Sequence, residues 1–192
     1  HALAFWLARE RLGAGLKILA RLAAGGAPEP GRPAEACAGA PYGFYRLAED
    51  LSPEALMAAF AQGLSLRSFL GLPSYWFAPR RHGLRPADLA DRLGTSVGAP
   101  IRFSLDRHFD QILRACAARP NNPWGHPTLD LAMGELHDAG FAHSLEIFDS
   151  HGLLIGGLIG VASGGVFTVK TARSFDDAAF IHGLKIFATH LD

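Results

Sequence analysis

"LHDAGFAHSLEIFDSHGLLIGGLIGVASGG", residues 136–165, decides the fold. Its first residues close a helix, and Gly140 is a natural stop. Residues 142–148 then alternate as a strand, with His143, Leu145 and Ile147 on one face and Ser144, Glu146 and Phe148 on the other. "DSHG" predicts a hairpin turn, and two further strands follow over 153–161 and 165–170. Gly156, Gly157, Gly160 and Gly164 run through that sheet. Glycine inside a strand weakens it, and marks a bulge or a close approach by another backbone or a ligand.

Working outward, Ser174 and Asp177 frame a final helix whose stripe is Phe180, Leu184, Phe187 and Leu191. Upstream, "IRFSL" reads as a strand and "DRHFDQILRACA" as a helix with Phe109, Ile112, Leu113 and Cys116 inward. "LADRLG" and residues 128–139 are further helices. Helices flanking a central mixed or antiparallel sheet make an α+β layer arrangement over residues 87–192. Residues 41–86 form a smaller N-terminal domain. There Ser52 caps a helix with Pro53 in its first turn, Glu54 suits the positive N-terminus, and Gly63 closes it. Residues 65–86 read as irregular, because Pro73, Pro79 and Pro86 interrupt any long element.

Residues 1–40 are an amphipathic helix and a Pro/Gly/Ala-rich linker. Phe5, Ala8, Leu12, Leu16, Leu19 and Leu22 or Ala23 recur at helical spacing, with Arg9, Arg11, Lys17 and Arg21 on other faces. That stripe suits core packing. Peripheral contact of residues 3–23 with a membrane or a partner is the alternative.

The 192 residues are 49% hydrophobic and 19% charged, an ordinary globular profile, and no apolar run is long enough to span a membrane. Two cysteines are too few for a disulfide scaffold or a four-ligand zinc site, so a reducing compartment is expected. The chain begins at His1 rather than Met, and part of the natural protein is expected to be missing. Net charge is zero but segregated: residues 67–119 hold nine arginines against four acids, and residues 120–192 hold three basic against eight acidic side chains. Arginine suits bidentate phosphate contacts, so a phosphate-bearing partner stands beside the reading of a solvated face.

His137 and His143 could be a base or a metal pair, but no carboxylate–cysteine cluster accompanies them, and core or cap histidines are commoner. Trp124 sits in a loop, where an aromatic side chain can stack on a base or cover a pocket. Lys170 and Arg173 lie at a strand-to-helix junction, where they could hold a phosphate or carboxylate or simply face water. "KTARSFDDAAF" lacks the glycine pair of a coenzyme A pyrophosphate loop, so no cofactor is expected.

Leu136, His137, Gly140, Ala142, His143, Ser144 and Glu146, followed by Gly156, Gly157, Gly160, Val161 and Ala162, resemble the signature region of the leucyl/phenylalanyl-tRNA–protein transferases. "PYGFYRLAEDLSPEALMAAFAQG" and "YWFAPRRHGLRP", with Trp76, Arg81, Leu84 and Pro86, are similar to further family stretches, as is "NNPWG" with Trp124. The resemblance runs from about Pro41 to Phe167. It implies a GNAT-like larger domain and a cytoplasmic enzyme. The implied reaction transfers an aminoacyl group from the 3′ end of aminoacyl-tRNA to an amine, on a protein N-terminus or a small molecule, with no DNA partner. It places Trp124, Leu158 and Phe167 around an apolar substrate pocket; Gly157 and Lys170 are expected beside that pocket, and Arg81 and, from its place at the strand-to-helix junction, Arg173 are expected as anion contacts. Catalytic residues are left unassigned.

Departures from the family pattern are specific. "VKTAR", residues 169–173, stands where the family has Gly-Glu-Ser-Met-Phe, so Lys170 replaces a substrate-contacting Glu. "SLRSF" puts Arg67 near a family Trp, and the family's later Asp-Cys-Gln segment, which carries residues linked to proton handling, does not appear before residue 192. The expectation is therefore a transferase with altered substrate. A lapsed binding module, or an acyltransferase with a non-tRNA donor, is the alternative.

Overall fold

The computed structural model describes residues 9–24, 37, 40–77, 83, 85–92, 100–118 and 126–190. They form two compact units: residues 1–81 with 116–140, and residues 82–115 with 141–192.

In the first unit, helix α1 (Arg9–Ala23) precedes a 3-10 turn (Pro41–Gly43), β1 (Phe44–Leu47), α2 (Pro53–Ala61), β2 (Leu64–Phe69) and β3 (Leu72–Phe77). Ser52 caps α2 as the sequence predicts, its Oγ accepting from Ala55 N–H at 3.4 Å, and Leu56 and Phe60 are buried. The stretch expected to be irregular is instead a hairpin. β2 and β3 pair from Leu64↔Phe77 to Phe69↔Leu72, and β1 adds to β3 in the order β1-β3-β2. Leu70 and Gly71 form its two-residue turn at φ 51° and 89°, the left-handed geometry that favours tight hairpins. Pro73 is tolerated because it lies near the start of its strand.

Ile18, Phe44, Phe69 and Trp76 form the core on one face of this sheet. The rings of Phe44 and Trp76 meet edge-on at 5.0 Å and 80°, worth about 0.5–1.5 kcal/mol beyond burial. The buried side of α1 is Gly15, Ile18 and the partly buried Leu22. Leu12, Leu16 and Leu19, expected inward, are exposed. Both sides of α1 are apolar, so periodicity alone picks the wrong one. Phe5 and Ala8 lie outside the described residues.

In the second unit, α3 (Pro86–Arg92) and β4 (Ile101–Leu105) are followed by α4 (Phe109–Ala117), whose last two residues fall in the first unit. Helix α5 (Pro127–Asp138) belongs to the first unit, packed beside α2 and β2 through buried Leu129, Ala132, Met133 and Leu136. The expected division at residue 86 is corrected accordingly: residues 116–140 cross back.

Strands β5 (Ala142–Asp149), β6 (Leu154–Ser163) and β7 (Val166–Ser174) lead to helix α6 (Asp177–His190). The sheet is an antiparallel meander in the order β4-β5-β6-β7. Asp149 builds the first hairpin turn, its Oδ1 accepting from His151 and Leu153 N–H. Gly164 lies in the second turn with Gly165, not in a strand.

Leu145, Ile147, Ile155 and Leu158 form the core under α6, joined by Phe103, Phe180, Leu184 and Phe187. The α6 stripe is as predicted up to Phe187, and Leu191 lies outside the described residues. Ala179 N–H bonds to Asp176 Oδ1 at 3.0 Å, so Asp176 rather than Ser174 caps α6. Among the described residues no helix is long and apolar enough to cross a membrane.

Candidate active site

The glycines of β6 answer the question of what approaches the sheet. A side chain at Gly156 would lie 2.6 Å from the Phe180 ring and 2.9 Å from Arg173 O. One at Gly157 would overlap Ile112 Cδ1, and one at Gly160 would overlap the Phe167 ring. The chain's own side chains therefore occupy the glycine positions. The expectation that Gly157 leaves room for a substrate is corrected: Ile112 of α4 fills that space.

Cross-strand pairing sorts the remaining residues by face, because residues directly opposite share one. Leu158, Gly160 and Ala162 share a face of β6, opposite Ala172, Val169 and Phe167 of β7. His143 pairs with Gly160, and Leu145 pairs with both Leu158 and Leu105. The two expected lining residues thus lie on one face, in different surroundings: Leu158 is buried under α6, whereas Phe167 is 43% exposed. A bulge between Ile159 and Gly160 makes the register skip Lys170, the extra residue next to Val169.

At this end of the sheet the chain leaves β4 through Asp106, which adopts φ 57°. That conformation is uncommon outside glycine, and Asp is among the residues that tolerate it. Asp106 N–H donates to Ser144 O at 3.1 Å, and Ser144 N–H donates to Asp106 Oδ1 at 2.7 Å. The second carboxylate oxygen, Oδ2, lies 2.7 Å from His143 Nδ1. An imidazole held this way keeps its proton on Nδ1 and presents Nε2 as an acceptor. The His143 side chain is 38% exposed. Exposed Leu105, Phe167 and Val169 share its face. Sequence reasoning assigned no role to Asp106, because "SLDRHF" reads locally as a strand end before a helix and its partner stands 37 residues away.

The opposite face carries Glu146, completely buried, whose two oxygens accept from Ser104 and Ser144 Oγ. Glu146 thereby orients the Ser144 and Ser104 hydroxyls. Across the sheet this row continues through Gly157 to Arg173. Arg173 lies with its guanidinium carbon 5.1 Å from the centre of the Phe175 ring, and its buried Nε has no hydrogen-bond partner among the described residues. In the first unit, Arg67 shares the face of Trp76 and Phe69. Burial pulls its pKa down, and its Nε likewise lacks a partner among the described residues. Trp124 and Arg81 lie outside the described residues. Cys37 and Cys116 are both free and buried, and among the described residues no group of three or more potential ligands could hold a metal ion.

The family model for leucyl/phenylalanyl-tRNA protein transferase matches residues 89–191. The chain belongs to that family. Leucyl/phenylalanyl-tRNA–protein transferases similar to it include those of Pseudomonas fluorescens, 34% identical over 79% of this chain and 70% of the relative, and Shewanella denitrificans, 30% identical over 79% and 66%. That of Syntrophus aciditrophicus is 37% identical over 65% of this chain and 55% of its own length. The chain thus spans between about half and 70% of the length of these relatives. In this member of the leucyl/phenylalanyl-tRNA protein transferase family, the matched stretch contains all four strands of the second sheet and the Asp106–His143 pair.

Proposed function

We propose that this chain is an aminoacyl-tRNA-dependent aminoacyltransferase, moving an aminoacyl group from the 3′ end of tRNA to an amine on a peptide or small molecule. Family membership is the observation that carries the reading, through relatives that are named for this transfer. The donor ester is already activated by its ribose leaving group, so the protein's task is to orient the reactants, manage a proton and stabilise the oxyanion. A GNAT-like arrangement of the second unit and a cytoplasmic location, where charged tRNA is found, belong to the same reading.

The second unit supports it with an exposed apolar surface of Leu105, Phe167 and Val169 beside a polar His–Asp pair, suited to an oily acyl side chain next to a reacting amine. Arg173 serves as a phosphate contact for the tRNA end, while Trp124 and Arg81 stay candidate acyl-group and anion contacts on the strength of the resemblance alone. Lys170 inverts the charge that the family presents to the substrate ammonium, and so alters which aminoacyl group or acceptor is used. Incubating the protein with a mixture of charged tRNAs and an acceptor peptide tests the reading. Transfer that depends on tRNA supports it, and failure to bind any charged tRNA at low salt, where electrostatic contacts are strongest, removes it.

A further inference from the structure

Attack by an amine on an ester requires a group that takes the amine's proton. We propose that His143, held by Asp106, is that group; the inference rests on the transferase reading above. The amine nitrogen bonds to the carbonyl carbon, the carbonyl electron pair moves onto oxygen, and the ammonium proton passes to His143 Nε2. Collapse of the tetrahedral species re-forms the carbonyl and breaks the bond from carbon to the ribose 3′ oxygen. That oxygen then takes the proton from Nε2. Ester and amine have become amide and alcohol, and the imidazole is returned to its starting state.

Three observations carry the assignment. First, both Asp106 oxygens are engaged, one by Ser144 N–H and one by His143 Nδ1, each at 2.7 Å. The carboxylate cannot swing away from the ring. It also fixes the tautomer, leaving Nε2 as the acceptor. Second, the His143 side chain is 38% exposed, and among the described residues its ring makes no second hydrogen bond. Third, the side chains around it on that face, Leu105, Val169 and Phe167, are 48%, 51% and 43% exposed. They offer contacts to an apolar acyl group without competing for its proton.

A purely structural role explains less. The bond from Asp106 N–H to Ser144 O and the bond from Ser144 N–H to Asp106 Oδ1 already clamp the end of β4 to β5. The contact with His143 is additional to that clamp. Asp106 reaches it from a left-handed backbone conformation, φ 57°, that is uncommon outside glycine and tolerated by Asp.

The test compares wild-type protein with His143→Ala and Asp106→Asn in steady-state transfer from charged tRNA to an acceptor peptide. His143→Ala is expected to lower kcat about 10²- to 10⁴-fold with little change in KM, and added imidazole is expected to restore part of the lost rate. Asp106→Asn retains an acceptor for Ser144 N–H and lowers kcat in the same direction. A folded His143→Ala protein with a wild-type rate, or one that imidazole does not rescue, overturns the inference and leaves the transferase reading standing. A wild-type protein that transfers from no charged tRNA overturns that reading and the inference with it. Diethyl pyrocarbonate labelling of wild-type protein gives a check that does not depend on the variants folding. His143 is expected to be carbethoxylated, and a non-hydrolysable 3′-phenylalanylamido-adenosine is expected to protect it; labelling that the analogue leaves unchanged overturns the inference.

Discussion

The ring of Phe167 rests on the backbone of Gly160, in the space a side chain there would need, while Ile112 does the same at Gly157. The two glycines differ in what can yield. At Gly160 the obstacle is the far end of an exposed ring, which can swing into solvent. At Gly157 it is fully buried Ile112 together with Leu145 O, a backbone atom. Gly160→Ala should therefore cost about 1 kcal/mol or less, and Gly157→Ala about 2–3 kcal/mol, as overpacking does. Urea unfolding of the two variants measures the difference. Equal costs would show that the Phe167 ring is as firmly held as Ile112.

Glu146 has no contact with water, and its two oxygens hold the hydroxyls of Ser104 and Ser144. Glu146→Ala removes both acceptors and leaves a cavity, for a loss of about 2–4 kcal/mol. Glu146→Gln keeps one acceptor and offers an N–H to the other hydroxyl, which can rotate to receive it, so its cost should be about 1 kcal/mol or less. Denaturant midpoints for the two variants check the contrast.

Asp50 and Asp130 should respond to acid in opposite ways. The Ser52 backbone N–H, 2.8 Å from Asp50 Oδ1, holds the Asp50 pKa below its ordinary value. Its contribution to stability is present above the unfolded-state pKa and is lost as pH falls through the lower folded value. Burial raises the Asp130 pKa and outweighs the opposing effect of His126. There the folded state binds more protons than the unfolded one, so the contribution is present at low pH and lost as pH rises through the folded value. At pH 7 Asp50→Asn should lower Tm and Asp130→Asn should raise it, with both differences shrinking toward pH 3. Melting curves across that range test the signs.

Lys170 is the bulge residue beside the Gly160–Val169 pair. If it sets the sign of charge met by the substrate ammonium, Lys170→Glu raises leucyl or phenylalanyl transfer by about tenfold, the factor given by 1.4 kcal/mol. Competition between charged tRNAs in one reaction measures this directly. A rate that stays level or falls would place the source of altered specificity elsewhere.

Local chemistry made much of this fold legible. The Ser52–Pro53 cap, the Asp149 turn and the alternation of residues 142–148 each act within a few positions, and the structure has all three. The β2–β3 hairpin is hidden by Pro73 and by a turn in which Leu70, as well as Gly71, takes a positive φ. Helix α5 reads well as a helix, yet its place beside α2 and β2 is a long-range packing outcome that no local pattern encodes. The same holds for the candidate site. His143 was visible as a titratable residue on a strand, but its meaning depends on Asp106, which only the folded sheet brings within 2.7 Å.

Mass analysis of an acceptor peptide after incubation with charged tRNA tests the central claim most directly. The account predicts a peptide heavier by one aminoacyl residue joined through an amide, formed only when charged tRNA and the protein are both present. A peptide of unchanged mass with every charged tRNA supplied would contradict it.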